Sequence, residues 1–546
     1  MSDFRVLLIY PNQRAESLVP PSIAMFSRLL KNHGYEVDLF DSSFYDLDAD
    51  DYIAQTDSAP SSEQGKGLEV VKSKGDAKSL IQNCLVRPYE SKADSLRKHE
   101  SAVKGLTRKV EEFQPHLIAV TSTESTVLLA MQLLNSVRHH RIPTILGGVF
   151  ATFAPERAIG FPEVDMICVG EGEVALLDLC ERMQAGKSYD DVTNLWIKKK
   201  SGDIIRNPIT RPVDVDQLPT LDIEIFEEGR YYSPMYGKLY RMLPVETHRG
   251  CPYTCSYCNS PSQDVFYKEQ TGGKFFRKRS MEKVRKDILY FRDVLKMNYV
   301  NFWADTFFAY STKEFDAFCE MYSEFKLPFW CCTRPETVTV ERIRKLQDVG
   351  LHMISFGLEH GNEQFRRDVV KRPYPNSIAI EAFKVVKKAG VHFSINNIIG
   401  FPGETRKLAN DTIEINRHFE ADQMSCSIYQ PYYGTSLRKV AVDQGYLDTD
   451  TICPANSGAT VMDMPDFTSD QLKGLRRTFA MYVKFPKARW KEIQIAEQLT
   501  PEGDKVWENL QQEFIATFFS TPETDITEKG GPIPATMSES APTAPV

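Results

Sequence analysis

The chain has 546 residues, of which 42% are hydrophobic and 26% are charged, and these values are ordinary for a globular protein. Its 66 basic and 74 acidic residues give a net charge of −8, which argues against nucleic-acid binding through bulk positive charge. No apolar run approaches the ~18–20 residues of a membrane span, and no cleavage site follows the first residues. We therefore expect a cytoplasmic protein of two to four domains.

Strand and helix patterns alternate through the first 190 residues. RVLLIYP (5–11) is typical of a buried strand, SIAMFSRLLKNHG (22–34) of a helix and YEVDLFD (35–41) of a second strand. Further helices are predicted at 93–113 and 126–140, and further strands at 116–122, 143–148 and 164–173. This alternation predicts an α/β fold with a doubly wound parallel sheet, whose ligands lie beyond the carboxyl ends of the strands.

The rest of the chain divides into further units. Residues 46–92 form a polar loop insertion within the first domain, 1–190, and residues 191–240 are interpreted as a linker with a short hairpin. A second alternating series fills 241–440 and predicts a β/α barrel that closes fully or partly. Its strands are expected at 244–250, 299–305, 329–335, 352–359, 392–400 and 422–432. A helical region at 441–520 and a disordered tail at 521–546 complete the chain.

Three of the 11 cysteines lie in one short stretch, ETHRGCPYTCSYCNSPSQ (246–263). Cys251, Cys255 and Cys258 form a CxxxCxxC loop directly after a predicted strand. Thiolates are soft ligands for zinc or iron–sulfur clusters, but a closed zinc site needs four ligands. A cubane held by three cysteines leaves one iron open. Other cysteines lie on helix or strand patterns and are interpreted as buried small hydrophobic residues: Cys319, Cys331, Cys332 and Cys426.

The loop resembles the signature of the radical S-adenosylmethionine (SAM) superfamily. The resemblance implies a [4Fe-4S] cluster on Cys251, Cys255 and Cys258, whose open iron binds the amino and carboxylate groups of SAM. It also implies cleavage of SAM to a 5′-deoxyadenosyl radical, with the electron supplied by a low-potential donor of the flavodoxin or ferredoxin type. Three structural cysteines or a zinc knuckle remain the alternatives.

Other positions match this superfamily in order along the predicted barrel, mostly at strand ends. Taken alone, an aspartate there is more often a helix cap, and an arginine more often belongs to a surface ion pair. The resemblance implies SAM-binding roles for Tyr257 (adenine ring), Asp305 (amino group), Arg334 (carboxylate), Glu359 (ribose), and Gly400 and Gly403 (adenine, through the backbone).

The first domain resembles the cobalamin-binding domain that precedes the barrel in one subgroup of this superfamily. Small residues at its strand ends would let a flat corrin approach the backbone. The DxHxxG loop of many cobalamin-binding proteins is missing, so the resemblance implies cobalamin held without a histidine below the metal. An empty flavodoxin-like domain is the alternative. The implied cobalamin-binding residues are Ser122, Gly147, Gly148, Gly170 and Gly172.

Together, the two resemblances imply a cobalamin-dependent radical SAM methyltransferase that acts on an unactivated carbon or a phosphinate phosphorus. The expected substrate is a small molecule or natural product, with no nucleic-acid partner. A radical SAM cyclase, oxidoreductase or rearrangement enzyme is the second hypothesis. A non-catalytic iron–sulfur sensor or scaffold is the third, but such a protein would not need the polar residues Asp305, Arg334 and Glu359 at its strand ends.

Overall fold

The structure, a computed structural model, describes residues 3–12, 18–47, 87, 96–456 and 459–519. Nearly all of the predicted loop insertion at 46–92 and the whole predicted tail at 521–546 lie outside these residues. Two large sheets organise the described chain, and each has seven strands.

The first sheet confirms the predicted doubly wound α/β fold. Its five parallel strands are β1 (Arg5–Tyr10), β2 (Glu36–Asp41), β3 (Leu117–Thr121), β4 (Thr144–Gly147) and β5 (Met166–Cys168). They lie in the order β2-β1-β3-β4-β5, and two further strands extend the sheet beyond β5. The helices are α1 (Pro21–Asn32), α2 (Ala102–Phe113), α3 (Val127–Val137), α4 (Val149–Phe153), α5 (Pro155–Gly160) and α6 (Glu173–Gln184).

Two local predictions in this half need correction. The hairpin expected in the linker consists of β6 (Leu195–Lys198) and β7 (Ile204–Arg206), and it extends the first sheet, because β6 pairs antiparallel with β5. The helix expected at 93–113 is interrupted: residues 93–95 lie outside the described residues, Leu96 is helical, residues 97–101 are not, and the helix proper starts at Ala102. Ser101, the residue before this helix, forms a β-bridge with Asp46, and His99 has a left-handed backbone with φ of 48°. These features keep residues 97–101 out of the helix.

The second sheet has the order β16-β15-β14-β13-β12-β9-β8. All of its strands except β8 at one edge pair in parallel, and its two open edges make it a partial barrel. Its strands are β8 (Tyr232–Met235), β9 (Lys238–Glu246), β12 (Tyr299–Trp303), β13 (Phe329–Thr333), β14 (Leu351–Glu359), β15 (His392–Ile399) and β16 (Gln423–Ile428), and a separate pair is formed by β10 (His248–Arg249) and β11 (Arg277–Lys278).

Helices cover the outer face of this half-barrel, where alternate strand residues form the core. Phe302 of β12, for example, packs edge-on against Phe318 and Tyr322 of helix α9, at ring distances of 5.1 and 5.3 Å. The helices up to the sixth parallel strand are α7 (Asn259–Thr271), α8 (Met281–Asp293), α9 (Thr312–Tyr322), α10 (Val340–Asp348), α11 (Glu363–Asp368), α12 (Asn376–Lys388) and α13 (Arg406–Asn416).

The predicted helical C-terminal region is present, and it packs on the last strand of the half-barrel. Leu472, Leu475 and Phe479 on one face of a long helix belong to the same buried cluster as Met424 and Cys426 of β16. The helices are α14 (Ser436–Asp443), α15 (Ser469–Lys484), α16 (Trp490–Glu497) and α17 (Pro501–Phe518). Of the helices described, none combines the length and apolar character needed to cross a lipid bilayer.

Candidate active site

The three cysteines of the CxxxCxxC loop lie between β10 and helix α7, at the carboxyl end of β9. Cys255 is buried, whereas Cys251 and Cys258 are half-buried. Cys258 is the N-cap of α7, and its Sγ accepts a hydrogen bond from the Ser260 amide at 3.4 Å. The loop is therefore held by the start of a helix, whose amide groups favour negatively charged thiolates.

Arg334 lies just after β13 and contacts the cysteine loop. Its Nη1 donates a hydrogen bond to Cys255 Sγ at 3.1 Å, and its guanidinium stacks 3.8 Å from the centroid of the Tyr253 ring. The same side chain forms an ion pair with Glu336 and is only 5% exposed. Sequence analysis placed Arg334 near SAM but did not foresee its contact with a cysteine.

The donor set fits an iron–sulfur cluster better than a single metal ion. In the described part of the chain, no three His, Cys, Asp or Glu side chains converge on one ion. The cysteines of a cubane each bind a different iron, so they need not converge. Burial raises the pKa of the Cys258 thiol to about 12, and burial likewise raises the pKa of Cys251. Thiolates at these positions therefore need the positive charge that cluster irons would supply.

Tyr257 and Glu359, predicted to contact adenine and ribose, lie together. The Tyr257 hydroxyl donates to Glu359 Oε1 at 2.8 Å, and the buried Arg372 forms an ion pair with the same carboxylate. Glu359 ends β14 with a left-handed φ of 66°, just after a register shift between β14 and β15. Sequence analysis missed Arg372, since nothing local marks this arginine on the loop between α11 and α12.

Asp305 follows β12 and faces the cysteine loop, within electrostatic range of Cys251 and Cys258. Its side chain is open to solvent, yet the protein surrounding it raises the pKa of the carboxyl. A nearby cation favours the ionised form of a carboxyl, so the predicted contact with the amino group of SAM would oppose this shift.

Gly400 and Gly403 lie in the turn after β15, and both have positive φ, 83° and 75°. The buried Glu404 holds this turn, because its Oε2 accepts hydrogen bonds from the amides of Gly400 (2.6 Å) and Phe401 (3.0 Å). Its other oxygen lies 3.2 Å from His360 Nε2. The Phe401 ring packs 6.1 Å from the Tyr257 ring, so this turn borders the predicted adenine position.

The predicted cobalamin residues line the carboxyl edge of the first sheet. Gly148 has φ of 103°, and a Cβ there would lie 2.4 Å from the Ser122 carbonyl oxygen. Gly147 lies at the end of β4, and its carbonyl accepts a hydrogen bond from the Ser122 amide at 3.1 Å. The buried Ser122 hydroxyl has no hydrogen-bond partner within the described residues. Gly148 is therefore required by the close approach of the Ser122 backbone, and the unused Ser122 hydroxyl is the feature of this edge that fits a polar group of a ligand.

Gly170 and Gly172 lie in the loop after β5, which meets the second half of the chain. The Glu171 amide between them donates to the Tyr267 hydroxyl of α7 at 2.6 Å, and Arg249 pairs with Glu171 at 3.0 Å. The carboxyl ends of the two sheets therefore face each other. No local sequence pattern marks Glu171, Arg249 and Tyr267 as the residues that join them.

A second junction uses Glu124, which follows β3. Its two carboxylate oxygens accept hydrogen bonds from the amides of Tyr433 and Cys453, each at 2.7 Å. Burial raises the pKa of this carboxyl, although Arg438 lies 3.6 Å away. Glu124 thus ties the first sheet to the turn after β16, beside the site.

Two family models match the chain at these places. The model of the B12 binding domain matches residues 94–179, and that of the radical SAM superfamily matches residues 245–415. The first match contains Ser122 and all four glycines of the predicted cobalamin set. The second contains the three cysteines and the predicted SAM-binding residues.

Curated relatives share this architecture at modest identity. A Pyrococcus horikoshii protein named uncharacterized methyltransferase PH0819 is 26% identical over 71% of this chain and 83% of its own length. An anaerobic magnesium-protoporphyrin IX monomethyl ester cyclase of Rubrivivax gelatinosus is 26% identical over 59% of this chain, and the match spans 58% of the cyclase.

The solved structure of TsrM, a radical S-adenosylmethionine methyltransferase from Kitasatospora setae with cobalamin and a [4Fe-4S] cluster bound, has a similar fold. The TM-score is 0.56 at 15% identity, and the alignment covers 81% of this chain and 75% of TsrM. The two family models agree with the site described above, so the cofactors are a [4Fe-4S] cluster, SAM and cobalamin. We conclude that the chain is an enzyme with a B12-binding domain, matched at residues 94–179, ahead of a radical SAM domain, matched at residues 245–415.

Proposed function

We propose that this enzyme is a methyltransferase that moves a methyl group from methylcobalamin to an unactivated carbon of a small-molecule substrate. When bound, the cofactors supply a 5′-deoxyadenosyl radical for hydrogen abstraction and a cobalt-bound methyl group. The meeting of the two sheet ends at Glu171 and Tyr267 carries the proposal, because the predicted cobalamin-binding edge would then lie opposite the predicted SAM site. The methyltransferase names of PH0819 and TsrM support it.

The residues divide into three proposed sets. Cys251, Cys255 and Cys258 hold the cluster. The cobalamin set is Ser122, Gly147, Gly148, Gly170 and Gly172, and the SAM set is Tyr257, Asp305, Arg334, Glu359, Gly400 and Gly403. Within these sets, Glu359 and Arg334 orient SAM, and the glycines allow SAM and cobalamin to approach the backbone closely.

Several finer statements remain part of the proposal. The electron donor is a flavodoxin or ferredoxin, nucleic acid is not a partner, and the enzyme works in the cytoplasm. The domain bounds stay at 1–190, 241–440 and 441–520, although strand pairing carries the first sheet to Arg206. The similarity to the cyclase favours a second candidate, a cyclisation without methyl transfer.

The test uses anaerobically purified protein with its cluster reconstituted, incubated with SAM, methylcobalamin and a low-potential reductant. Retained corrinoid together with both 5′-deoxyadenosine and S-adenosylhomocysteine supports methyl transfer. Deoxyadenosine alone, with no corrinoid retained, supports the cyclisation. The Cys255→Ala variant should form no deoxyadenosine, whereas Cys319→Ala, which alters a buried cysteine of α9 outside the CxxxCxxC loop, should behave like the wild type.

A further inference from the structure

The middle of the cysteine loop lies at the protein surface, beside the helices that cover the half-barrel. Pro252 and Thr254 are exposed, and Tyr253 between them is half-buried. Tyr253 is within electrostatic range of Arg342, which belongs to helix α10 on the outer face of the half-barrel. Part of the cysteine loop is therefore open to a partner that approaches from outside.

Two contacts connect this surface to a cluster ligand. The Arg334 guanidinium stacks 3.8 Å from the centroid of the Tyr253 ring, and its Nη1 donates a hydrogen bond to Cys255 Sγ at 3.1 Å. Arg334 and Cys255 are themselves 5% and 9% exposed, so Tyr253 is the member of this series that a partner can touch. Electron transfer between proteins weakens steeply with distance. A donor must therefore dock where the surface is nearest to the cluster, and the Tyr253 ring marks such a place.

Unpaired positive charge flanks Tyr253. Lys371 is exposed and forms no ion pair with another described residue. It follows Val370, whose carbonyl accepts a hydrogen bond from the Ser256 amide of the cysteine loop at 3.2 Å. Arg342 likewise has no carboxylate partner among the described residues, since its guanidinium donates to two backbone carbonyls. Both cations therefore contribute their charge to the surface around the loop.

The acidic residues of the flanking segments do not cancel this charge. Segments 335–345 and 366–372 contain seven lysine and arginine residues and only three acidic ones. Each of the three acidic side chains already has a cation, in the ion pairs Arg334–Glu336, Lys345–Glu341 and Arg367–Asp368. A surface with such an excess attracts an acidic protein and speeds its association.

We propose that this surface is the docking site of an acidic one-electron carrier protein, and that its centre is Tyr253. Its residues are Pro252, Tyr253, Thr254, Arg342 and Lys371. One electron passes from the carrier to the cluster, so the carrier is oxidised and the cluster is reduced, and no bond forms or breaks. Electron-transfer complexes use small interfaces, so a few charges around one accessible ring suffice. The inference rests on the proposed function only in taking a carrier protein as the reductant, and methyl transfer plays no part in it.

Stopped-flow reduction of the cluster-reconstituted full chain tests this surface with two reductants, flavodoxin hydroquinone and the small methyl viologen radical cation. The Lys371→Gln variant should slow reduction by flavodoxin about threefold or more at low ionic strength. The difference should disappear in ~1 M salt, because ions screen exposed charges. Reduction by methyl viologen should not become slower. The matched control is Lys187→Gln, at an exposed lysine after the end of α6, and it should leave both rates unchanged.

Carbodiimide cross-linking provides a readout that does not depend on the reduction rate. Carbodiimide joins amines to carboxylates that are in contact, so flavodoxin should be linked to the peptide that contains Lys371 and not to the one that contains Lys187. Mass spectrometry identifies the linked peptides. Neither experiment needs a substrate, so failure of methyl transfer would not change either result.

Four results would overturn the proposal. One is an equal rate of reduction by flavodoxin in the wild type and in Lys371→Gln. Another is an equal loss of rate with methyl viologen, which would mean that Lys371 acts on the cluster and not on docking. The third is cross-linking only at other lysines. The fourth is a wild type that neither flavodoxin nor an acidic ferredoxin reduces.

Discussion

Arg372 and Glu359 form a buried ion pair that ends the fourth parallel strand of the half-barrel. A Cβ on Gly357 would lie 2.2 Å from Glu359 Oε1 and 2.7 Å from Arg372 Nη1, so the pair fills the space that a larger residue would take. The guanidinium also lies 3.3 Å from the Tyr257 hydroxyl. Arg372 thus orients Glu359, whose backbone has an unfavourable left-handed φ, toward the predicted ribose position.

Replacing Arg372 by Gln should weaken SAM binding about tenfold or more, because Glu359 loses the cation that holds it. Equilibrium dialysis of the reconstituted protein measures the dissociation constants of SAM and of methionine. Methionine lacks the ribose, so its affinity should not change. Gly357→Ala displaces the same pair by another route and should give the same pattern, whereas Arg367→Gln, at an exposed arginine, should not. Equal loss of SAM and methionine affinity would contradict this role for Glu359.

Replacing Arg334 by Gln should lower the reduction potential of the cluster. The guanidinium donates to Cys255 Sγ, and a nearby positive charge stabilises the more negative, reduced state. The shift should be on the order of tens of millivolts, and an electron paramagnetic resonance titration without SAM measures it. The control is Arg342→Gln, since Arg342 donates to the carbonyls of Phe308 and Tyr310 and not to a cysteine. An unchanged potential in Arg334→Gln would show that this hydrogen bond does not tune the cluster.

Gly148→Ala should lower the affinity for cobalamin and reduce stability by ~1–2 kcal/mol, since alanine is strained at φ of 103° and its Cβ meets the Ser122 carbonyl. Spectroscopic titration with hydroxocobalamin measures the affinity, and urea unfolding measures the stability. Gly160 supplies the control, because a Cβ there meets nothing within 4 Å. If Gly148→Ala bound cobalamin like the wild type, this edge would not be the cobalamin site.

Arg249→Met should destabilise the junction between the two sheets by ~3 kcal/mol, because the buried Glu173 loses the cation it shares with Glu171 and Glu246. The other two carboxylates keep a second cation each, Arg277 at Glu171 and Arg279 at Glu246. Urea unfolding and limited proteolysis across residues 206–232 report on the junction. Arg206→Gln breaks an exposed ion pair with Glu156 and should cost less than ~1 kcal/mol. Similar costs for both variants would mean that the junction does not depend on Arg249.

His352 should make the wild type less stable below neutral pH. Burial, assisted by the positive charges of His392 and Lys238, lowers the pKa of His352 from 6.5 to about 4, so the folded protein holds it neutral. As the pH falls below 6.5, the unfolded chain takes up a proton that the folded protein does not. The free energy of unfolding therefore falls by about 1.4 kcal/mol per pH unit, or about 2 kcal/mol by pH 5.

The His352→Gln variant isolates this contribution, because an amide can keep the hydrogen bond to the Tyr299 hydroxyl, 2.8 Å from His352 Nδ1 in the wild type, without titrating. Urea unfolding of both proteins at pH 7 and pH 5 should show a decrease that is about 2 kcal/mol smaller in the variant. An identical decrease in both proteins would mean that His352 is protonated in the folded state at pH 5.

Much of the fold could be predicted because its signals are local. Short apolar runs such as RVLLIYP and YVNFWAD mark parallel strands that are buried on both faces, and the predicted strands of both sheets are present at nearly the predicted positions. The hairpin at 195–206 was assigned to the linker because its pairing with β5 joins residues about 30 positions apart. No local pattern reports such an edge contact.

Spacing along the chain is enough to indicate the chemistry: three cysteines in one loop, polar residues at successive strand ends, and two alternating series in the order of the two domains. Which side chains contact one another follows from the packed fold. Arg372 reaches Glu359 and Tyr257, and Arg334 reaches Cys255. Contacts of this kind depend on how strands and loops distant in sequence pack together. Local propensity and spacing carry no information about that packing.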